Sequence, residues 1–153
     1  MVSMYQKGIF RPLTVDEAVS VCCKLYLKFV CSGIDVIRIG LQPTDNIRPG
    51  RDLVAGPFHP AFRNLVESKI LNDIVLYLYR LQHNRDVEVR VSGVTLSKLF
   101  ADKRKYFNPM VGGIEGSIGV RQDGNVHADT ILMLSGERRF KMSIGDYSRL
   151  MCR

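Results

Sequence analysis

The sequence predicts an α/β to α+β chain in two parts, and three observations carry that prediction. A helix–strand–helix pattern fills residues 1–82. The alternating run Val87-Glu88-Val89-Arg90-Val91 opens a second, strand-richer part over 84–153. Between the strand and second helix of the first part lies a long polar stretch, 42–57, punctuated by Pro43, Pro49, Gly50 and Gly56. Loops of that length in compact domains tend to be functional or disordered.

Each element follows from its residues. The first ten residues read as irregular. Thr14 and Glu17 then form a Thr-x-x-Glu capping box, the signature of a helix start. Val15, Ala18, Val19, Cys22, Leu25, Tyr26, Phe29 and Val30 give the helix one apolar stripe, and Gly33 sits where a left-handed stop belongs. Residues 34–41 read as a strand, apolar on both faces except for Arg38, the pattern of a parallel strand covered on two sides.

Residues 60–82 form the strongest helix, with a broad apolar face from Phe62 to Leu81. His83 to Asp86 break it. After the strand at 87–91, a helix is expected from about 96 to 107, ended by Asn108-Pro109, and the glycine-rich 112–116 reads as a link. Strands are expected at 117–122 and 125–134, joined as a hairpin at Asp123-Gly124. A last strand over 137–144 leads into a short helical turn.

Composition bounds the function classes. At 153 residues, with 46% hydrophobic and 24% charged residues, the chain is ordinary for a globular protein. No apolar run approaches the roughly 20 residues of a membrane helix, so no membrane partner is expected. The amino terminus lacks a signal-peptide pattern, which makes the cytoplasm the expected location. A net charge of +7 favours polyanionic partners such as RNA. The basic residues gather towards the carboxyl end: Lys98, Lys103, Arg104 and Lys105, then Arg138, Arg139 and Lys141.

Reactive groups are few. Cys22, Cys23, Cys31 and Cys152 contain no C-x2-C pair, so they read as small buried hydrophobes rather than metal ligands. His59, at a loop-to-helix junction, reads as capping the helix start or bonding a loop carbonyl, with a pocket role as the alternative. His83 and His127 have no partnering acid. No Ser/His/Asp or Cys/His constellation is present. Arg38 must find a carboxylate or solvent, because burying it unpaired is costly.

The segment Arg38-Ile-Gly-Leu-Gln-Pro-Thr44, a variable loop, then Ala55-Gly-Pro-Phe-His-Pro60 and Phe62-x-x-Leu65-Val66-Glu67-Ser68 closely resembles the end of the barrel in bacterial radical S-adenosylmethionine (radical SAM) proteins of the Elongator-catalytic-subunit-like group. The resemblance covers nearly the whole chain and is most specific over 36–68. It implies a fold made of the terminal β/α units of a radical-SAM partial barrel, over 1–82, followed by a small α+β extension over 84–153. It also implies S-adenosylmethionine and a 4Fe-4S cluster for the full-length family. On that basis Ile37, Ile39 and Leu41 would wall the adenine of the cofactor, and Gly40 would give room for close approach. The family's C-x3-C-x2-C motif is missing from this sequence, so the chain itself should carry no cofactor.

Sequence similar to Met4-Tyr5-x-x-Gly8-x-x-x-Pro12-Leu13-Thr14 lies well after that motif in the family, so Met1 is expected to be a late or internal start. The second part is similar to a family segment that itself resembles an RNA-binding KH-like unit. Its Gly-x-x-Gly turn would correspond to Ala101-Asp102-Lys103-Arg104, which has no glycine.

Two functions are therefore expected. One is a carboxyl-terminal fragment of a radical SAM protein, inert alone and partnered by the missing amino-terminal portion. The other is a basic module contacting RNA phosphates through Lys98, Lys103, Arg104, Lys105, Arg138 and Arg139. In isolation, part of the apolar face of helix 60–82 and the edges of 34–41 should stay open and promote self-association.

Overall fold

In a computed structural model the chain is described over residues 2–41, 54–82 and 86–152. Most of the expected 42–57 loop lies outside those residues, as does His83.

The first part is helical. A short helix α1 (Val2–Gln6) occupies the stretch expected to be irregular. Helix α2 (Val15–Cys31) starts on the expected box: the Thr14 hydroxyl accepts from the Glu17 amide, and the Glu17 carboxylate accepts from the Thr14 amide. It ends as Gly33 turns left-handed (φ +71°) and the Ile34 amide reaches back to the Phe29 carbonyl. Helix α3 (Phe62–Arg80) has no side-chain cap at its first residue. Instead, His59 Nδ1 accepts from the Ala61 amide at 3.1 Å, so the imidazole orders the helix entry.

The second part holds the sheet. Strand β1 (Asp86–Val91) leads through helix α4 (Gly93–Leu99), the turn α5 (Ala101–Arg104) and helix α6 (Phe107–Gly112) to β2 (Ser117–Gln122). Strands β3 (Thr130–Ser135) and β4 (Arg138–Ser143) follow, then helix α7 (Ile144–Met151). The order is β2-β1-β3-β4, with β1 parallel to β2 and antiparallel to β3, and β3 antiparallel to β4.

Several expectations are corrected. Residues 34–41 are not a strand: they form no regular element and pair with no strand of the sheet. The Asp123-Gly124 hairpin does not form, because β2 and β3 flank β1 on opposite sides. The connection crosses the end of β1, where the Asp123 amide bonds the Val91 carbonyl at 2.8 Å. The hairpin joins β3 and β4 instead, with Gly136 at φ +59° as the first residue of a two-residue loop. The helix expected over 96–107 breaks into three, because Asp102, Lys103 and Arg104 have φ of 49°, 56° and 64°.

The core forms around α3. Leu65, Val66, Ile70, Leu71, Ile74, Val75 and Leu78 are all buried, packed against α2, α4, β3 and α7. That face is therefore closed by the chain itself, and the expectation of an open α3 face is not met. Val87, Val89 and Val91 of β1, with Ile131 and Met133 of β3, complete the core. A buried polar link pins α4 to α3. The Leu99 carbonyl accepts from Ser68 Oγ at 3.2 Å and from Asn72 Nδ2 at 3.1 Å.

Candidate functional site

Segment 34–41 is the most unusual backbone in the molecule. Among the described residues, none of the amides 35–41 makes a backbone hydrogen bond. Ile37 is 92% exposed, and Ile34 and Leu41 are also exposed. Only Ile39 leans on the core. Gly40 needs its glycine for a local reason: φ is +78°, and a Cβ there would meet the Phe62 ring at 2.9 Å. The space that glycine leaves at position 40 is taken by Phe62. Arg38 lies exposed in solvent.

Arg63 holds this segment. Its Nη1 donates to the carbonyls of both Val36 (3.0 Å) and Ile37 (2.9 Å). Successive carbonyls of a pleated strand point to opposite sides. One donor gathering two neighbours therefore prevents a regular strand, which explains the failed strand assignment. The same guanidinium donates through Nε to Glu67 Oε1 at 2.8 Å.

Glu67 is buried, with 3% side-chain exposure, and its other oxygen meets Lys98 Nζ at 2.9 Å. Lys98 also pairs with Asp129 at 2.8 Å. Asp129 is held in a left-handed conformation (φ +55°) as its amide donates to the Thr95 hydroxyl. Burial alone would lower the Lys98 ammonium, but hydrogen bonds to Asp129 and Glu67 outweigh it and the net shift is upward. Burial chiefly raises the nearby Tyr26 phenol, with the Glu67 charge adding to it. A chain of charges thus runs from the backbone of 36–37 through α3 and α4 to the start of β3.

Sequence reasoning missed Arg63, Glu67 and Asp129. A signal was available: Glu67 interrupts an apolar face four residues after an arginine, and a buried carboxylate there requires cations.

The six basic candidates are carried by different layers. Lys98 lies between Glu67 and Asp129, and Lys105 pairs with Asp16 at 2.7 Å. Arg104 stacks over the Phe100 ring, 4.2 Å from its centroid. Lys103 is exposed on the left-handed turn. Arg138 and Arg139 are exposed on the edge strand β4, which packs on β3 and α7, whereas α5 packs on α3 and α4. The register places Arg90, Arg121, Arg139 and Lys141 on the sheet face away from the helices, together with Glu88. Glu88 pairs with Arg90 and Arg121, and Asp123 approaches Arg90, so much of that positive charge is neutralised locally.

The cysteines offer no cluster site. Cys23 is buried, and its thiol donates to the Val66 carbonyl at 3.6 Å; burial pushes it up to about 12. No group of three potential metal ligands exists among the described residues. The donor set therefore does not fit a 4Fe-4S cluster, which needs thiolates converging on one point. No helix among the described residues is long and apolar enough to cross a membrane.

A comparison with protein families bears on segment 34–41. Residues 1–72 match the family model of the Radical_SAM C-terminal domain. The match supports a radical SAM C-terminal region over that span. It takes in α1, α2, segment 34–41 and the first half of α3, and so includes both Arg63 and Glu67. Lys98 and Asp129, the other half of the charge chain, lie beyond the matched region. No curated protein and no solved structure matches the chain.

Proposed function

We propose that this chain works as the carboxyl-terminal portion of a radical SAM protein, seating against a cluster-bearing barrel portion through segment 34–41. The observation that carries the reading is the backbone of 35–41, which lies in the matched region and has no ladder partner among the described residues. Val21, Leu25 and Phe29 form an exposed apolar stripe at i, i+4 and i+8 on α2, and the Phe29 carbonyl accepts from the Ile34 amide at the start of the segment. A segment without ladder pairing is what a β/α unit presents when its neighbouring unit is absent. Cluster and S-adenosylmethionine chemistry would come from the barrel portion. Ile37 and Leu41 would add an apolar wall to a cofactor there.

The test is association. The chain is co-expressed with a radical SAM barrel portion that carries C-x3-C-x2-C. Amides 35–41 should exchange rapidly in the chain alone and become protected in the complex. Unchanged exchange in the presence of that segment, or no complex, removes the reading.

A second reading is favoured by one observation. Three consecutive non-glycine residues, Asp102, Lys103 and Arg104, are held left-handed on the turn between α4 and α6. Strain of this kind concentrates at functional sites. The turn offers Lys103 and Arg104 to solvent, as a contact with RNA phosphates requires. Such binding should weaken steeply with salt. A transfer-RNA titration at two salt concentrations tests it, and absence of binding in low salt sinks it.

A further inference from the structure

Cys31 is the last residue of α2, and Cys152 follows the end of α7. The two helices pack side by side. The Cys152 thiol donates to the Leu27 carbonyl at 3.9 Å, one turn before Cys31 on the same helix. Of the groups around it, Cys31 has the largest effect on the Cys152 thiol. Cys152 is exposed and Cys31 half-buried, so a small reagent can reach the pair. Cys23, by contrast, is buried against the Val66 carbonyl.

We propose that Cys31 and Cys152 are a redox modification site, a dithiol that a low-molecular-weight disulfide converts to an intramolecular disulfide. The exposed Cys152 thiolate attacks one sulfur of the oxidant and releases one thiol, leaving a mixed disulfide. The Cys31 thiolate then attacks the Cys152 sulfur and releases the second thiol. The protein loses two protons and two electrons, and the oxidant's disulfide is reduced to two thiols. The bond would fasten the end of α2, inside the matched region 1–72, to the end of α7, closing a loop of well over 100 residues. Closure of so long a loop restricts the unfolded chain strongly.

Contact with Cys31, then burial, raises the Cys152 thiol above the ordinary range, while Lys28 pulls the other way. Exchange should therefore be slow near neutrality and accelerate at alkaline pH, since the thiolate is the nucleophile. That marks a site that responds to sustained oxidation rather than a fast sensor.

The native chain is incubated with oxidised glutathione at mildly alkaline pH, quenched by alkylation, digested and read by mass spectrometry. A Cys31–Cys152 linked peptide should dominate, with Cys23 alkylated only after unfolding. The oxidised protein should melt several degrees higher than the reduced protein. Cys31→Ser and Cys152→Ser should each lower the yield of that peptide by about tenfold or more, whereas Cys22→Ser should leave it unchanged. Linkage of Cys152 to Cys22 or Cys23, glutathione adducts without the internal bond, or four free thiols after oxidation would each overturn the proposal. Circular dichroism of the serine variants identifies any that fail to fold. In that case the native-chain linkage map alone decides.

Discussion

Replacing Lys98 by methionine tests the buried charge chain most directly. Methionine keeps the apolar stem and removes the ammonium, so packing changes little. Glu67, 3% exposed, keeps Arg63 Nε at 2.8 Å but loses its 2.9 Å contact with Lys98. Removing one partner of a fully buried pair costs about 3–5 kcal/mol. Here Arg63 still neutralises the carboxylate in part, and Asp129 is 39% exposed and can be rehydrated. The loss should therefore be about 2–3 kcal/mol, in line with charge-assisted hydrogen bonds.

For a chain of this size that is about 5–10 °C in thermal midpoint, readable by circular dichroism alongside urea titration. The sign with pH follows from the raised Lys98 ammonium. Its contribution is complete below the unfolded lysine range and is lost as pH rises through the higher folded value, so wild type and Lys98→Met should converge in strong alkali. A double variant with Glu67→Gln should be less destabilised than the two single losses added together, because the orphaned charge is gone. A Lys98→Met protein within about 0.5 kcal/mol of wild type would refute the argument.

Three further outcomes are expected. Gly40→Ala should cost about 1–3 kcal/mol, from the left-handed backbone and the Phe62 clash; a neutral result in urea titration would place Phe62 elsewhere. Lys103→Gly should stabilise by about 0.5–1 kcal/mol, because glycine adopts φ +56° without strain, whereas Lys24→Gly at an exposed position inside α2 should destabilise by about the same amount; equal signs in a paired melt would contradict the turn. Cys23 should resist iodoacetamide at pH near 8 in the folded chain while Cys152 reacts; prompt alkylation of Cys23, seen by peptide mapping, would contradict its burial and raised thiol.

How much was legible depended on whether the signal was local. The start of α2 was, because a capping box is written in four consecutive residues and Thr14 with Glu17 forms it as read. So were α3, from its apolar density, and β1, from its alternation. The break at 102–104 was not, because non-glycine residues carry no local mark of left-handed backbone. The hairpin at Asp123-Gly124 failed for a different reason. A turn dipeptide reports that the chain bends, not which strand it bends towards, and β1 inserts between the two strands it would have joined.

Segment 34–41 shows both limits together. Its residues favour a strand, and the match over 1–72 takes it in. Whether it pairs depends on a neighbour outside the segment and on Arg63, more than twenty residues downstream. With no neighbouring strand among the described residues, the carbonyls of Val36 and Ile37 take the Arg63 donor, and one guanidinium supplies both. Docking against a neighbouring strand on the side of either carbonyl would have to exchange one of these bonds for a ladder bond. Arg63 would keep the other, along with its contact to Glu67. The same arginine that distorts the open segment would then anchor the closed one. Arg63→Met should accordingly weaken association with a barrel portion, even though it frees two carbonyls for pairing. Equal or tighter association, measured by titration calorimetry, would show that Arg63 only occupies the edge and does not position it.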